Sequence, residues 1–322
     1  MAQTDLGKAF EYACLKALYD FHSGFQPVEY VENEPYETAL RFYSECLDKQ
    51  ADLMDGAKAA VRVLNRLEPR LTYPNKDVPL VLCLQTDAAG QSGDVRDVLC
   101  IRQGSNWQIG LSCKHNHEAC KHSRLSNHID FGQKWLGVPC SKTYFDEIRP
   151  YFDELAELRE KGRARNKEYK FEDFDSVEDQ FYVPILNAFM KELKRIADEN
   201  EGIPARLVHY LMGEYDFYKI ITDDRHRLTK VEAVNINGTL NKSSEGHRAI
   251  TTVPSMKLPT EFFVIRWKRN SKTTIEVVCD NSWTFTMRLH SAKKTVEPSF
   301  KFDVNLAGTP GGFYLEMEPW DK

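Results

Sequence analysis

Apolar residues change their spacing along this chain, and that change limits the folds open to it. Leu6, Phe10, Cys14, Leu15 and Leu18 recur at three- and four-residue intervals, as do Leu40, Tyr43, Leu47, Ala60, Val63, Leu64 and Leu67. That spacing is the stripe of an amphipathic helix. Beyond about residue 218 the runs Phe262–Trp267, Thr273–Cys279, Trp283–Leu289 and Gly312–Met317 alternate or are β-branched, with Asn, Ser and Lys between them, which reads as strands. In between, a helical pattern is expected from Glu118 to about Lys134, a charged helix over 143–160 and an amphipathic one over 177–199. A helix or turn follows through Arg206–Tyr215. A chain that carries both periods belongs to the α/β (α+β) class. Its 322 residues are long for one core, and the change of character predicts two regions, 1–217 and 218–322.

No segment approaches the roughly 18 uncharged apolar residues of a membrane helix. The opening Met1-Ala2-Gln3-Thr4-Asp5 lacks a basic region leading into an apolar run, so a cytoplasmic protein is expected. The cysteines form no C-x-x-C pair, and several lie inside apolar runs, which fits free thiols in a reducing compartment. The net charge of −5 hides an asymmetry. Residues 1–56 hold four Lys/Arg against eleven Asp/Glu, whereas 225–294 hold thirteen against five. An acidic protein with such a basic segment can still present a positive face to a phosphate backbone.

The chemistry concentrates between Gly93 and Arg124. Asp97 opens an apolar strand, Arg102-Gln103-Gly104-Ser105-Asn106 supplies a turn, and Lys114 closes the next strand 17 residues after Asp97. A hairpin of these strands brings carboxylate and ammonium to one end of a sheet. Phosphodiester hydrolysis uses that pair: the carboxylate holds Mg²⁺ beside the phosphate, while Lys orients the attacking water and offsets developing charge. The arrangement looks like the PD-(D/E)xK nuclease motif, with Ser112 where an acid is usual and with the Cys113 carbonyl as a further possible metal ligand. The second acid is open between Glu11, in Gly7-Lys8-Ala9-Phe10-Glu11, and Glu118, four residues after Lys114; Asp94 and Asp130 are weaker candidates.

His115, His117, His122 and His128 crowd the next segment. A zinc site lacks the usual ligand spacing here, and His115-Asn116-His117 matches an HNH nuclease only in its letters. Imidazoles beside Lys121 and Arg124 suit phosphate contacts better.

The run Ser112–Arg124 continuing through Leu125-Ser126-Asn127-His128-Ile129-Asp130-Phe131-Gly132, with Gly93–Asp97, Trp135 and Gly7–Glu11, resembles the HaeIII family of type II restriction endonucleases. The resemblance covers most of the chain and is most specific over 93–141. It implies a restriction-endonuclease-like mixed sheet flanked by helices, and cleavage of duplex GGCC between G and C to leave blunt ends. It makes Asp97 the metal carboxylate and Lys114 the catalytic lysine, with Glu11 ranked above Glu118. Arginine and lysine read guanine in the major groove, so Arg266, Lys268, Arg269, Arg288, Lys293 and Lys294 are expected to touch DNA together with His115, His117, Lys121, His122 and Arg124. A palindrome would suit a symmetric homodimer. Competing readings are a DNA-binding protein without activity, in which Asp97 and Lys114 form a structural ion pair, and an HNH-type nuclease using His115 and His117.

Overall fold

The computed structural model describes residues 3–73, 78–86, 93–116 and 118–321. Their contacts divide the chain into two compact units. The first comprises 1–118, 213–257 and 312–322, and the second 119–212 and 258–311. The chain passes between the units four times, so the change of character at 217/218 marks where strands become frequent and not where a unit ends. The basic excess of 225–294 is divided between the two.

The first unit is built on a mixed sheet of strand order β1 (Val28–Tyr30), β2 (Leu80–Leu84), β3 (Val98–Arg102), β4 (Trp107–His115), β6 (Phe217–Asp223), β7 (Leu228–Val234) and β12 (Tyr314–Pro319). β1 runs parallel to β2 and β4 parallel to β6, while the other neighbours are antiparallel. Helices α1 (Gln3–His22), α2 (Glu34–Glu45) and α3 (Gln50–Leu67) precede most of the sheet, and a single turn, α4 (Pro69–Thr72), follows them. Asn33 caps α2 by accepting the Tyr36 N–H at 3.0 Å. The apolar stripe of α1, including Phe10, Cys14 and Leu18, joins Ala60, Val63 and Leu64 of α3 and Val98, Cys100, Ile109, Leu111 and Cys113 of the sheet in one core. Each fully buried side chain of Leu or Phe size stabilises this layer by about 1.5–3 kcal/mol. α3 lies so close to the sheet that a Cβ on Gly56 would stand 2.6 Å from Thr222 Cγ2 and 3.3 Å from the Trp320 ring. Because side chains alternate along a strand, the inward Leu111 and Cys113 leave Ser112 and Lys114 on the opposite face.

The expected hairpin is present. β3 and β4 pair from Val98↔Leu111 to Arg102↔Trp107, through a short helical turn over Gln103–Ser105 and a left-handed Asn106 (φ 46°).

The second unit holds an antiparallel sheet of order β5 (Lys121–Leu125), β11 (Phe300–Leu306), β10 (Thr284–His290), β9 (Thr274–Cys279) and β8 (Phe262–Trp267). Phe285, Met287, Leu289, Phe300, Phe302 and Val304 alternate to its inner face and are buried. Against them pack α5 (Lys142–Ala164) and α6 (Val183–Glu199), with ring centroids 5.8 Å apart for Phe152–Phe300 and 5.1 Å for Phe189–Phe302. α7 (Ile203–Met212) completes the layer. The helix expected over 118–134 is corrected here: Lys121–Leu125 is strand β5, and only Gly132–Leu136 coils, as a π-turn. The segment alternates between partly exposed and buried side chains, and its strand partner, β11, lies some 175 residues further along the chain, beyond the reach of local pattern.

Candidate active site

Asp97 is fixed from three sides. Its N–H donates to the Leu111 carbonyl at 2.7 Å, and its carbonyl accepts from Gln85 N–H at 2.9 Å. Its carboxylate oxygen Oδ2 accepts the Cys113 N–H at 2.7 Å and stands 3.4 Å from Lys114 Nζ. The carboxylate therefore closes the open end of the hairpin, one residue before the Val98↔Leu111 pair. N–H and C=O of one strand residue point to the same side, so Cys113 also turns its carbonyl toward the edge that Asp97 occupies.

Glu11 is the acid that joins them. α1 packs along β4: Phe10 lies beside the His115 ring, with centroids 6.4 Å apart, and Gln3 Nε2 donates to the His115 carbonyl at 2.6 Å. This brings Glu11, 7% exposed, within electrostatic reach of Asp97 and Lys114, with Lys8 Nζ 3.2 Å from its carboxylate. Burial, then the charge of Asp97, pushes the Glu11 carboxyl from 4.5 up to about 8, against the opposing pull of Lys8 and Lys114. Burial also works against the Lys114 ammonium, but Asp97 and Glu11 outweigh it and leave its pKa raised. Two carboxyl groups and two cations, Lys8 and Lys114, thus share a largely buried site in which the Glu11 carboxyl is held well above the usual carboxylate range. The site is a poor place for two negative charges unless a further cation is present.

Glu118 lies elsewhere. Its carboxylate is 3.0 Å from Lys230 Nζ, and its carbonyl accepts from Lys219 Nζ at 2.5 Å. Lys219 is 4% exposed and stands 3.7 Å from Glu232, with Ser112 as its register partner on β4. Sequence reasoning passed over Lys219 and Glu232. The available signal was a lone charge inside the apolar run Phe217-Tyr218-Lys219-Ile220-Ile221. Asp94 holds Arg96 in a two-pronged pair at 2.7 Å for each contact. Asp130 caps a turn by accepting the Gln133 and Cys140 N–H groups.

His115 is buried, with Nε2 3.1 Å from Asp224, so a phosphate contact does not fit its position. His117 lies outside the described residues. Among the described residues no group of three or more His, Cys, Asp and Glu is placed to hold a metal. Lys121 donates to the Tyr210 carbonyl at 2.7 Å and lies over that ring, and burial lowers its pKa to about 8. His122, Arg124, Arg266 and Arg288 are exposed on the outward face of the second unit's sheet, where Arg266 pairs with Glu276 at 3.0 Å. Lys268 and Arg269 are exposed just after β8, and Lys293 and Lys294 just after β10.

A family model for the HaeIII restriction endonuclease matches residues 7–310. The chain belongs to that family. It is also 38% identical over 320 residues to the type II restriction enzyme HaeIII of Haemophilus aegyptius, a match covering 99% of this chain and 98% of that one. No solved structure matches it. Family membership makes the chain a type II restriction endonuclease acting on double-stranded DNA, which sets aside the reading of a binding protein without activity. None of the helices is long and apolar enough to cross a membrane, among the described residues.

Proposed function

We propose that the enzyme hydrolyses DNA with Mg²⁺ held by Asp97, Glu11 and the Cys113 carbonyl, and that Lys114 acts on the attacking water. The observation that carries this reading is the meeting of Glu11, Asp97 and Lys114, with the Glu11 carboxyl raised to about 8 by burial and by Asp97. An all-oxygen donor set suits a hard cation, and Mg²⁺ asks only one or two carboxylates of the protein, taking waters and substrate phosphate for the rest. When bound, Mg²⁺ would polarise the scissile phosphate and acidify a water. The chain's own residues do the remainder. Asp97, held by the Cys113 N–H, keeps its carboxylate aimed at the hairpin end. Glu11 closes the site from the helix side. Lys114, kept charged by both acids, places an ammonium where negative charge builds on the phosphate. Ser112 is small and buried at the position where the motif usually carries an acid, so Glu11 supplies the second carboxylate.

The family resemblance supports GGCC as target, cut between G and C to leave blunt ends. A symmetric homodimer would match the symmetry of the palindrome, and a restriction enzyme works in the cytoplasm, where it meets incoming DNA. Digestion of a fully sequenced plasmid with Mg²⁺, and with EDTA as control, tests the reading. The expected result is discrete blunt ends at GGCC that vanish in EDTA. Ends at another sequence would overturn the target, and cutting that persists in EDTA would overturn the metal.

A further inference from the structure

The outward face of β5, β11 and β10 carries a cluster that the Asp97 centre does not use. Register sets His122, Asp303 and Arg288 side by side in one row, and Arg124, Lys301 and His290 in the next. Asp303 sits between two imidazoles. One carboxylate oxygen is 2.5 Å from His122 Nδ1 and 3.5 Å from Lys301 Nζ, and the other is 2.7 Å from His290 Nε2. Burial works against the Asp303 carboxylate, but the His122 hydrogen bond and the charges of His290 and Lys301 lower its pKa on balance. His290 Nδ1 also lies 2.8 Å from the Ser291 carbonyl. A carbonyl can only accept, so Nδ1 carries a hydrogen. Its other nitrogen faces the Asp303 carboxylate.

The neighbouring charges make this face positive. Arg124 donates to Ser299 Oγ at 2.8 Å and stands 3.4 Å from Glu297, which also holds Lys293 at 3.1 Å. The Tyr182 hydroxyl accepts the Ser291 N–H at 3.0 Å. Thr274 of β9 is the register partner of Arg288 and adds no charge, while Glu276 is turned to Arg266. Three cations then face one carboxylate across the two rows, and protonation of both imidazoles adds two further charges. Imidazole is the side chain whose ordinary charge change falls between pH 5 and 8.

We propose that this face docks on the phosphate backbone of duplex DNA, with His122 and His290 binding protons as the complex forms. The choice of DNA as occupant rests on the nuclease reading and on charge complementarity. Asp303 is the positioning residue that holds both imidazoles outward between Arg288 and Lys301.

The test is fluorescence anisotropy of the full chain on a labelled GGCC duplex in EDTA at pH 6.0 and 8.0. The wild type is expected to bind about tenfold more weakly at pH 8.0, since each proton taken up changes log Kd by up to about one per pH unit. The His122→Gln/His290→Gln double variant is expected to bind at both pH values as the wild type does at pH 8.0. His290→Lys, which keeps a cation at all pH values, is expected to bind more tightly than the wild type at pH 8.0 and to depend less on pH. Loss of cations from a phosphate-facing surface would also flatten the salt dependence by about 0.9 per contact in log K against log salt. A wild-type pH and salt profile in all these variants would overturn the proposal and make the cluster an internal ion network. Cleavage in Mg²⁺ is read separately on plasmid, so a failure of the nuclease reading registers there and not in the binding curves.

Discussion

Replacing Asp97 by Ala is expected to slow single-turnover DNA cleavage in saturating Mg²⁺ by at least about 10³-fold while duplex binding in EDTA stays within about threefold. The size follows from what the carboxylate holds. It is the acceptor for the Cys113 N–H at 2.7 Å, the partner of Lys114 at 3.4 Å and the proposed first ligand of the metal. Loss of one preorganised electrostatic contact to a transition state costs roughly 10²–10³ in rate, and here the loss reaches both the metal and the lysine. The backbone anchors of residue 97, to Leu111 and Gln85, do not need its side chain, so the hairpin should survive. A rate within tenfold of the wild type would remove Asp97 from the centre. Binding lost together with cleavage would mean that the variant damages the fold or the DNA contacts.

Glu11 gives the second large effect, and its direction follows from its raised pKa. Without metal the folded protein keeps this carboxyl neutral up to about 8, whereas the unfolded chain ionises it near 4.5. The stability that comes from holding the proton is complete below about 4.5 and is lost as pH rises through about 8. A shift of this size corresponds to a few kcal/mol. In EDTA, Glu11→Gln should therefore melt higher than the wild type at pH 8.5, with the difference shrinking toward pH 5. Metal acts in the opposite sense. Bound through Glu11 as proposed, Mg²⁺ would have to displace the Glu11 proton, so its apparent affinity should rise up to about tenfold per pH unit below 8 and level off above. Titration calorimetry at pH 6, 7, 8 and 9 reads this directly. An affinity flat from pH 6 to 8 would contradict a metal bound through Glu11.

The hairpin was legible because its signals are local: two apolar runs, a turn-forming segment between them, and charges at the ends. The same holds for the long helices over 143–160 and 177–199. What local pattern could not show is pairing between distant segments. β5 was read as helix because its partner β11 lies far along the chain, and the division into units was missed because both sheets draw strands from separate stretches. The site divides in the same way. Asp97 and Lys114 belong to one hairpin and could be paired by spacing. Glu11 reaches them only because α1 packs along β4, through Phe10, His115 and Gln3, which no spacing rule encodes. Glu118 is nearer in sequence, but the chain turns after His115 and ties it to Lys219 and Lys230.

That contrast makes the most direct test a comparison of Glu11→Gln with Glu118→Gln, measured side by side as single-turnover cleavage of a GGCC duplex in Mg²⁺. Glu11→Gln keeps the shape of the side chain and removes only its charge. If Glu11 completes the metal site, this variant loses at least about 10³-fold in rate, as Asp97→Ala does, while Glu118→Gln stays within about threefold of the wild type. Near wild-type cleavage by Glu11→Gln together with a collapse in Glu118→Gln would contradict the assignment and move the second carboxylate to the Lys219–Lys230 side of the sheet.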